Sequence, residues 1–268
     1  MNAKGATAVL MDIHSGEILS MVSLPDFDPN DRILSGKGKK GSENPLFNKS
    51  VQGLYELGSV FKVFTAAAVL EDGIVKPDTL VNTTSPIWWG KHKISNYHRL
   101  PDELSFTDVL VESSNTGTSR LAKELGASRQ KEFLKSLGFF DNTGIELVEA
   151  SHIKSKYPTN WSEISTMTIS YGHGISSSPL HVASAFATLL NGGTKVKPTL
   201  LNSNVQNTKG DRIISTNVSN ELIKILHQVV DRGTASAANV DGYSVAGKTG
   251  TANKVKPNGG YYKKKNIT

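Results

Sequence analysis

The chain contains no cysteine among its 268 residues. This absence excludes a disulfide-stabilised scaffold, a cysteine nucleophile and any metal site built on thiolates. No apolar run approaches the roughly 18 residues needed to span a bilayer. The N-terminal residues 1–5 also lack the apolar segment of a signal peptide. We therefore expect neither an anchor nor a signal peptide within this sequence.

Three common catalytic motifs are also missing. The sequence holds no H-E-x-x-H, no Walker A motif and no G-x-S-x-G. Their absence lowers the prior for a zinc protease, a P-loop NTPase or an α/β-hydrolase. We expect no metal ion and no cofactor.

Acidic residues are slightly outnumbered, since 30 Lys and Arg stand against 24 Asp and Glu, for a net charge of +6. The lysines cluster at Lys37, Lys39 and Lys40, and again over residues 263–265. No basic helix or interleaved aromatic residues accompany these clusters, so solvated loops are a better interpretation than a nucleic-acid site. We expect no nucleic-acid partner.

Hydrophobic periodicity predicts an α+β fold. Alternating apolar residues around Ser15-Gly16 predict a hairpin over residues 6–21, and an apolar run from Ser59 to Gly73 predicts a central helix. Capping signals predict further helices near Ser105–Glu112, Thr116–Leu125, Ser128–Leu137, Pro179–Asn191 and Ser219–Asp231. Tyr243–Gly247 is predicted to be a strand leading into Lys248. Strands near both ends of the chain suggest one sheet made from distant segments.

Three short motifs follow one another in a chemically meaningful order. They are S-x-x-K at Ser59–Lys62, S-x-N at Ser113–Asn115 and K-T-G at Lys248–Gly250. The first two also occur elsewhere in the chain, so the specific signal is the combination and its order. This set can supply a serine nucleophile, a lysine base, a proton relay and a strand that binds a carboxylate.

Ser59 and Lys62 lie one helical turn apart and therefore on one face of the predicted helix. Burial and the positive end of the helix both disfavour a charged ammonium there, and a neutral Lys62 amine can accept the Ser59 proton. The alternative is a helix-capping Ser59 with a surface Lys62. The apolar neighbours Phe61 and Val63 weaken that alternative.

The two other motifs provide the relay and the binding strand. Ser113 is placed to pass a proton to a leaving amine, and Asn115 to hydrogen-bond a substrate amide. Lys248 with the Thr249 and Thr251 hydroxyls would hold an anionic C-terminus. Gly250 would let an extended peptide approach an edge strand closely. The backbone N–H groups of Ser59 and Thr251 are predicted to form an oxyanion hole.

Longer runs carry a family resemblance over nearly the whole chain. The chain resembles the transpeptidase domain of class B penicillin-binding proteins, most closely the division-specific septal peptidoglycan D,D-transpeptidases. The resemblance lies in the runs V-L-M-D at 9–12, G-E-I-L-S-M at 16–21, P-D-F-D-P-N at 25–30, Y-E-L-G-S at 55–59, Y-G-H-G-I at 171–175 and V-A-G-K-T-G-T-A at 245–252.

The resemblance implies a fold and a reaction. The fold is that of penicillin-binding proteins and serine β-lactamases, an antiparallel sheet with helices on its faces plus an all-helical subdomain. We expect a single, incomplete domain over 1–268, with a mostly helical part at 59–232 and sheet parts at 6–22 and 243–252. In the family, two strands and a helix follow the K-T-G strand, and we expect them to be missing here, as in a truncated or split gene.

In that family the serine matching Ser59 is acylated by a stem peptide ending in D-Ala-D-Ala, and β-lactams acylate the same serine. Lys62, Ser113, Asn115 and the K-T-G strand are expected to act as assigned above. The resemblance also implies a membrane-anchored protein with a periplasmic catalytic domain, and a septal glycosyltransferase and other division proteins as partners.

Two alternatives remain open. One is a class D-like β-lactamase or β-lactam sensor, which the asparagine at Asn115 disfavours, since class D enzymes favour valine there. The other is an inactive fragment, or a non-catalytic binder of division proteins.

Overall fold

The computed structural model describes residues 3–31, 43–202, 210–255 and 261–267. The chain divides into two compact units. Unit 1 comprises Met1–Tyr55, Lys135–Lys156 and Ser177–Ile213, and unit 2 comprises Glu56–Leu134, Tyr157–Ser176 and Ile214–Thr268. The predicted cluster at Lys37, Lys39 and Lys40 lies outside the described residues. The prediction of a single incomplete domain stays a prediction.

Helices and strands are both present, which confirms the predicted α+β class. The α-helices of the described residues are α1 (Lys62–Glu71), α2 (Phe106–Val111), α3 (Asn115–Leu125), α4 (Ala127–Ser136), α5 (Glu163–Ile169), α6 (Pro179–Leu190) and α7 (Thr216–Arg232). The strands are β1 (Ala6–Met11), β2 (Ile18–Leu24), β3 (Leu80–Asn82), β4 (Ile87–Trp89), β5 (His92–Ile94), β6 (Glu103–Ser105), β7 (Ala252–Val255) and β8 (Tyr261–Ile267).

Unit 1 is built on the predicted hairpin, which the structure confirms. Strands β1 and β2 pair antiparallel, with Ala6 opposite Leu24. Asp12 sets the turn because its carboxylate accepts hydrogen bonds from the backbone N–H groups of His14 (2.9 Å) and Ser15 (2.7 Å). Helix α6 lies against β1, and Ser178 caps its first turn. The inner face of the hairpin packs on a buried cluster of Val51, Ile145, Ala150 and Leu180.

Unit 2 is organised around helix α1, as its apolar sequence predicts. Every residue from Lys62 to Val69 is buried, so the helix can only lie inside the protein. Helices α3 and α7 pack against it. Helix α7 is amphipathic and buries the predicted stripe of Leu222, Ile225, Leu226, Val229 and Val230. The helix that carries Lys62 is therefore held from several sides.

The predicted strand over Tyr243–Gly247 is wrong. Among the described residues this stretch joins no strand ladder, and the first strand of the region begins at Ala252. Its backbone bonds to α7 instead: Gly247 N–H donates to the Leu226 carbonyl at 3.2 Å, and the Val245 carbonyl lies 2.8 Å from His227 Nδ1. A strand needs a neighbouring strand for these groups, and here a helix supplies the partners.

A strand also occurs where none was predicted. Strand β8 pairs antiparallel with β7, although the chain was expected to end before the next strand. Residues 263–265, predicted to lie in a loop, belong to β8. The Asn258-Gly259 pair between the two strands is a hairpin signal that the lysine run obscured.

Three further features were not predicted. The stretch between Thr83 and Leu104 contains the β4–β5 hairpin, and β3 pairs with β6 around it. Helix α5 was missed because its Ser, Thr and Ile residues have low helix propensity. Ser162, whose hydroxyl accepts the Ser165 N–H, was the available signal for its start. No helix in the described part of the chain is long and apolar enough to cross a membrane.

Candidate active site

Ser59 and Lys62 lie where a short 3₁₀ helix passes into α1. The 3₁₀ helix covers Gly58–Phe61, and Lys62 is the first residue of α1. Ser59 is half-buried and its hydroxyl makes no hydrogen bond with the described residues, whereas Lys62 is fully buried. A reactive hydroxyl at the surface of the unit thus stands one turn from an amine kept away from water.

Three glycines let three segments meet at this turn. Gly58 has φ +56°, and a side chain there would strike the carbonyl of Thr251. A side chain at Gly172 would strike the Gly58 carbonyl. A side chain at Gly250 would strike the Leu57 carbonyl. The turn before Ser59 is therefore packed between the Tyr171–Gly174 loop and the K-T-G segment, and only glycine fits at these contacts.

Gly250 was predicted to make room for the substrate backbone. In the structure its immediate neighbours are the Leu57 carbonyl and the Val60 side chain. The glycine is needed first because the K-T-G segment lies directly on the turn that carries Ser59.

Ser113 joins the three motifs. It lies between α2 and α3 with φ +57°, a left-handed conformation that costs a non-glycine residue energy. Its hydroxyl is 2.9 Å from Lys62 Nζ and 3.0 Å from Lys248 Nζ. Lys62 Nζ also donates to the Ser113 carbonyl. Ser114, which caps α3 through the Gly117 N–H, fixes the start of that helix beside this bridge.

Burial sets the charge state of the two lysines. Loss of hydration, with a smaller contribution from the Lys248 charge, holds the pKa of Lys62 well below its usual value. Burial likewise lowers the pKa of Lys248 to about 8. The lowered pKa favours a neutral Lys62 amine, which can accept a proton, while Lys248 still carries charge at neutral pH. The pKa values of the two lysines differ because their environments differ, since the two side chains are chemically identical.

The predicted substrate-binding residues lie around this centre. Asn115 is the first residue of α3, and its amide donates to the Ser95 carbonyl at 2.9 Å. The Thr249 hydroxyl lies 3.2 Å from that of Thr234. Thr249 and Thr251 are both exposed. No group of three metal-ligating side chains occurs within the described ranges.

Two residues near the site, Glu56 and His173, were not among the predicted site residues. Glu56 is buried, and its carboxylate accepts the Gly174 N–H at 2.9 Å, which ties the residues before Ser59 to the Tyr171–Gly174 loop. Burial lowers the pKa of His173, a residue of the Tyr171–Gly174 loop, and any charge on Lys62 would lower it further. The glycines flanking His173 were the available signal.

Comparison with known proteins agrees with this geometry. The family model for the penicillin-binding protein transpeptidase domain matches residues 6–268. The chain belongs to this family. The recognition made from the sequence, including the class B transpeptidase domain, is confirmed.

The two relatives compared with this chain are longer proteins. The probable peptidoglycan D,D-transpeptidase FtsI of Caulobacter vibrioides is 33% identical over 95% of this chain and 42% of its own length. The peptidoglycan D,D-transpeptidase FtsI of Escherichia coli K12 is 31% identical over 98% of this chain and 43% of its own length. The chain thus spans less than half the length of these two relatives.

A solved structure confirms the transpeptidase fold. The transpeptidase domain of penicillin-binding protein 3 from Burkholderia pseudomallei has 27% sequence identity and superposes with a TM-score of 0.83. The alignment covers 98% of this chain and 73% of that one.

A buried neutral lysine should cost stability in a pH-dependent way. Unfolding exposes Lys62, which regains a pKa of about 10.4 and binds a proton at pH 7, so protons favour the unfolded state. We predict that Lys62→Met is more stable than the unchanged protein at pH 7. The gap should shrink as pH rises towards the unfolded pKa.

Urea unfolding at several pH values measures this gap. The exposed Lys135 provides the control, because Lys135→Met should change stability little at any pH. A Lys62→Met protein that is less stable at pH 7, or a gap that does not vary with pH, would contradict the neutral state of Lys62.

Proposed function

We propose that this chain is the catalytic part of a serine-acyl D,D-transpeptidase that cross-links peptidoglycan stem peptides. One observation carries the proposal: the Ser113 hydroxyl lies within hydrogen-bond distance of both Lys62 and Lys248. This bridge unites the three motifs in one centre. It gives a proton a continuous path from the base to the far side of the reacting bond.

Acylation begins when the Ser59 hydroxyl oxygen attacks the carbonyl carbon between the two terminal D-Ala residues of a stem peptide. The Ser59 proton passes to the neutral Lys62 amine. As the C–N bond breaks, Lys62 returns a proton through the Ser113 hydroxyl to the departing D-Ala nitrogen. The products are an ester on Ser59 and free D-Ala, and the two lysines end in their starting states.

The second half-reaction runs the path in reverse. The amine of a neighbouring stem peptide loses a proton through Ser113 to Lys62 and attacks the ester carbonyl. Ser59 leaves with a proton from Lys62, and a new peptide bond forms the cross-link. β-Lactams present the same carbonyl in a ring whose leaving nitrogen stays attached, so acylation traps the serine.

Charge and backbone geometry support the binding of an anionic peptide end. The positively charged ammonium of Lys248 lies beside the exposed Thr249 and Thr251. These groups can bind the terminal carboxylate of the peptide. The N–H groups of Ser59 and Thr251 would hold the developing oxyanion, an interaction worth about 3 kcal/mol per donor. The packing of Thr251 on Gly58 supports that pairing.

The wider assignment rests on the family resemblance. We infer a role in septal wall synthesis, with a septal glycosyltransferase and other division proteins as partners. We place the reaction on the periplasmic side of the membrane, as part of an anchored protein.

A fluorescent penicillin tests the reaction directly. We expect one stable adduct, and peptide mapping should place it on Ser59. Ser59→Ala should abolish labelling, whereas Ser236→Ala, at an exposed serine of the same unit, should not. Labelling that survives Ser59→Ala would refute the assignment. Rapid release of hydrolysed penicillin would favour the β-lactamase alternative instead.

The pH dependence of acylation tests the role of Lys248. Its pKa of about 8 means that it loses its charge as pH rises through 8, and with it the grip on the substrate carboxylate. We predict that kcat/KM for penicillin acylation falls above pH 8. Arginine stays charged throughout, so Lys248→Arg should remove this fall. An unchanged upper limb in Lys248→Arg would assign it to another group.

A further inference from the structure

The β4–β5 hairpin of unit 2 presents two different faces. Ile87 and Trp89 on one strand and Ile94 on the other pack into a buried cluster with Met167 and Tyr171. This face accounts for the stability of the hairpin, because a two-stranded ribbon needs such support.

The opposite face carries a large aromatic side chain into solvent. Trp88 pairs across the hairpin with Lys93 and is 63% exposed. Tyr97, which follows the hairpin, is 99% exposed. Lys93 Nζ lies 5.6 Å from the centroid of the Trp88 ring, and both aromatic side chains remain largely open to solvent. Exposed aromatic residues that occur together mark binding surfaces more often than isolated ones do.

The segment that carries these rings has formal charge of one sign. Residues 83–101 contain Lys91, Lys93 and Arg99 and no acidic residue. All three cationic residues are exposed. A surface that combines exposed aromatic rings with exposed cations suits a ligand that has both apolar ring faces and carboxylates.

The same segment is fastened to the active site. The Asn96 side-chain carbonyl accepts the backbone N–H groups of Asn115 (2.9 Å) and Thr116 (3.1 Å). The Asn115 amide in turn donates to the Ser95 carbonyl at 2.9 Å. The residues that follow the hairpin are thus bonded to the start of α3, two residues beyond Ser113. When a stem peptide is held at Ser59, the glycan strand to which it is attached must run along the protein surface near the active site.

We propose that Trp88, Tyr97 and the cations of residues 83–101 form a binding surface for the glycopeptide strand whose stem peptide is held at Ser59. The aromatic rings pack on the C–H faces of the N-acetylated sugars, and the cations meet carboxylates of neighbouring stem peptides. The surface rests on the proposed function and adds to it a site for the polymer, beyond the peptide end. Charge complementarity selects this occupant over an uncharged glycan.

The test compares a polymer with its isolated branch, using the full chain. The probe is soluble, uncross-linked peptidoglycan strands with intact stem peptides, and the isolated pentapeptide is the small ligand. Trp88→Ala and Tyr97→Ala should each raise the Kd for the strands about tenfold, the effect of losing an aromatic contact at a binding surface. Neither should change penicillin acylation at Ser59 or binding of the pentapeptide.

Tyr243→Ala is the matched control, because Tyr243 is 76% exposed in the same unit but belongs to another segment. It should leave strand binding unchanged. Binding should also weaken with added salt, since exposed cations contribute to it.

Three results would overturn the proposal. The first is an unchanged Kd for the strands in both variants while Ser59 is still acylated, which would remove the surface but leave the proposed function intact. The second is equal binding of an oligonucleotide of matched charge, which would reduce the surface to a general anion binder. The third is an equal loss in Tyr243→Ala. Failure of penicillin to label Ser59 would instead overturn the proposed function.

Discussion

The structure of the site depends on one hydroxyl group held between two amines. The Ser113 hydroxyl lies within hydrogen-bond distance of both Lys62 and Lys248, and its backbone adopts a left-handed conformation that a serine does not prefer. The loop that imposes this conformation is fixed by the cap at the start of α3 and by the Asn96 side chain. If this loop relaxed, the relay would lose its contact with Lys62 and Lys248 together.

The second constraint is the burial of Lys62. Helix α1 is apolar along its length, and Lys62 is carried into the interior by the packing of its neighbours. The apolar side chains packed around Lys62 stabilise the fold and favour the neutral form of its amine. The cost is that this one polar group is poorly hydrated. Lys248 lies in the partly exposed K-T-G segment and is less completely buried than Lys62. The same chemical group thus stands in two different environments.

The structure brings Lys62 and Lys248 together at Ser113, as the order of the motifs predicted, while the catalytic roles of these residues stay predictions. Local chemistry and spacing indicate such a set from sequence alone. The strand at Tyr243–Gly247 was wrong because strand formation depends on distant partners, and here α7 supplies them. Glu56 escaped notice because its bond to Gly174 joins segments far apart in the chain. Long-range contacts of this kind leave little local signal.

The charge of Lys62 is the most direct test of the account. Nitrogen-15 NMR of the lysine side chains distinguishes a neutral amine from an ammonium at the Lys62 Nζ atom. The account predicts a neutral amine at pH 7, with Lys248 titrating near pH 8. A Lys62 ammonium signal at pH 7 that persists into the alkaline range would contradict it, because a protonated lysine cannot accept the Ser59 proton.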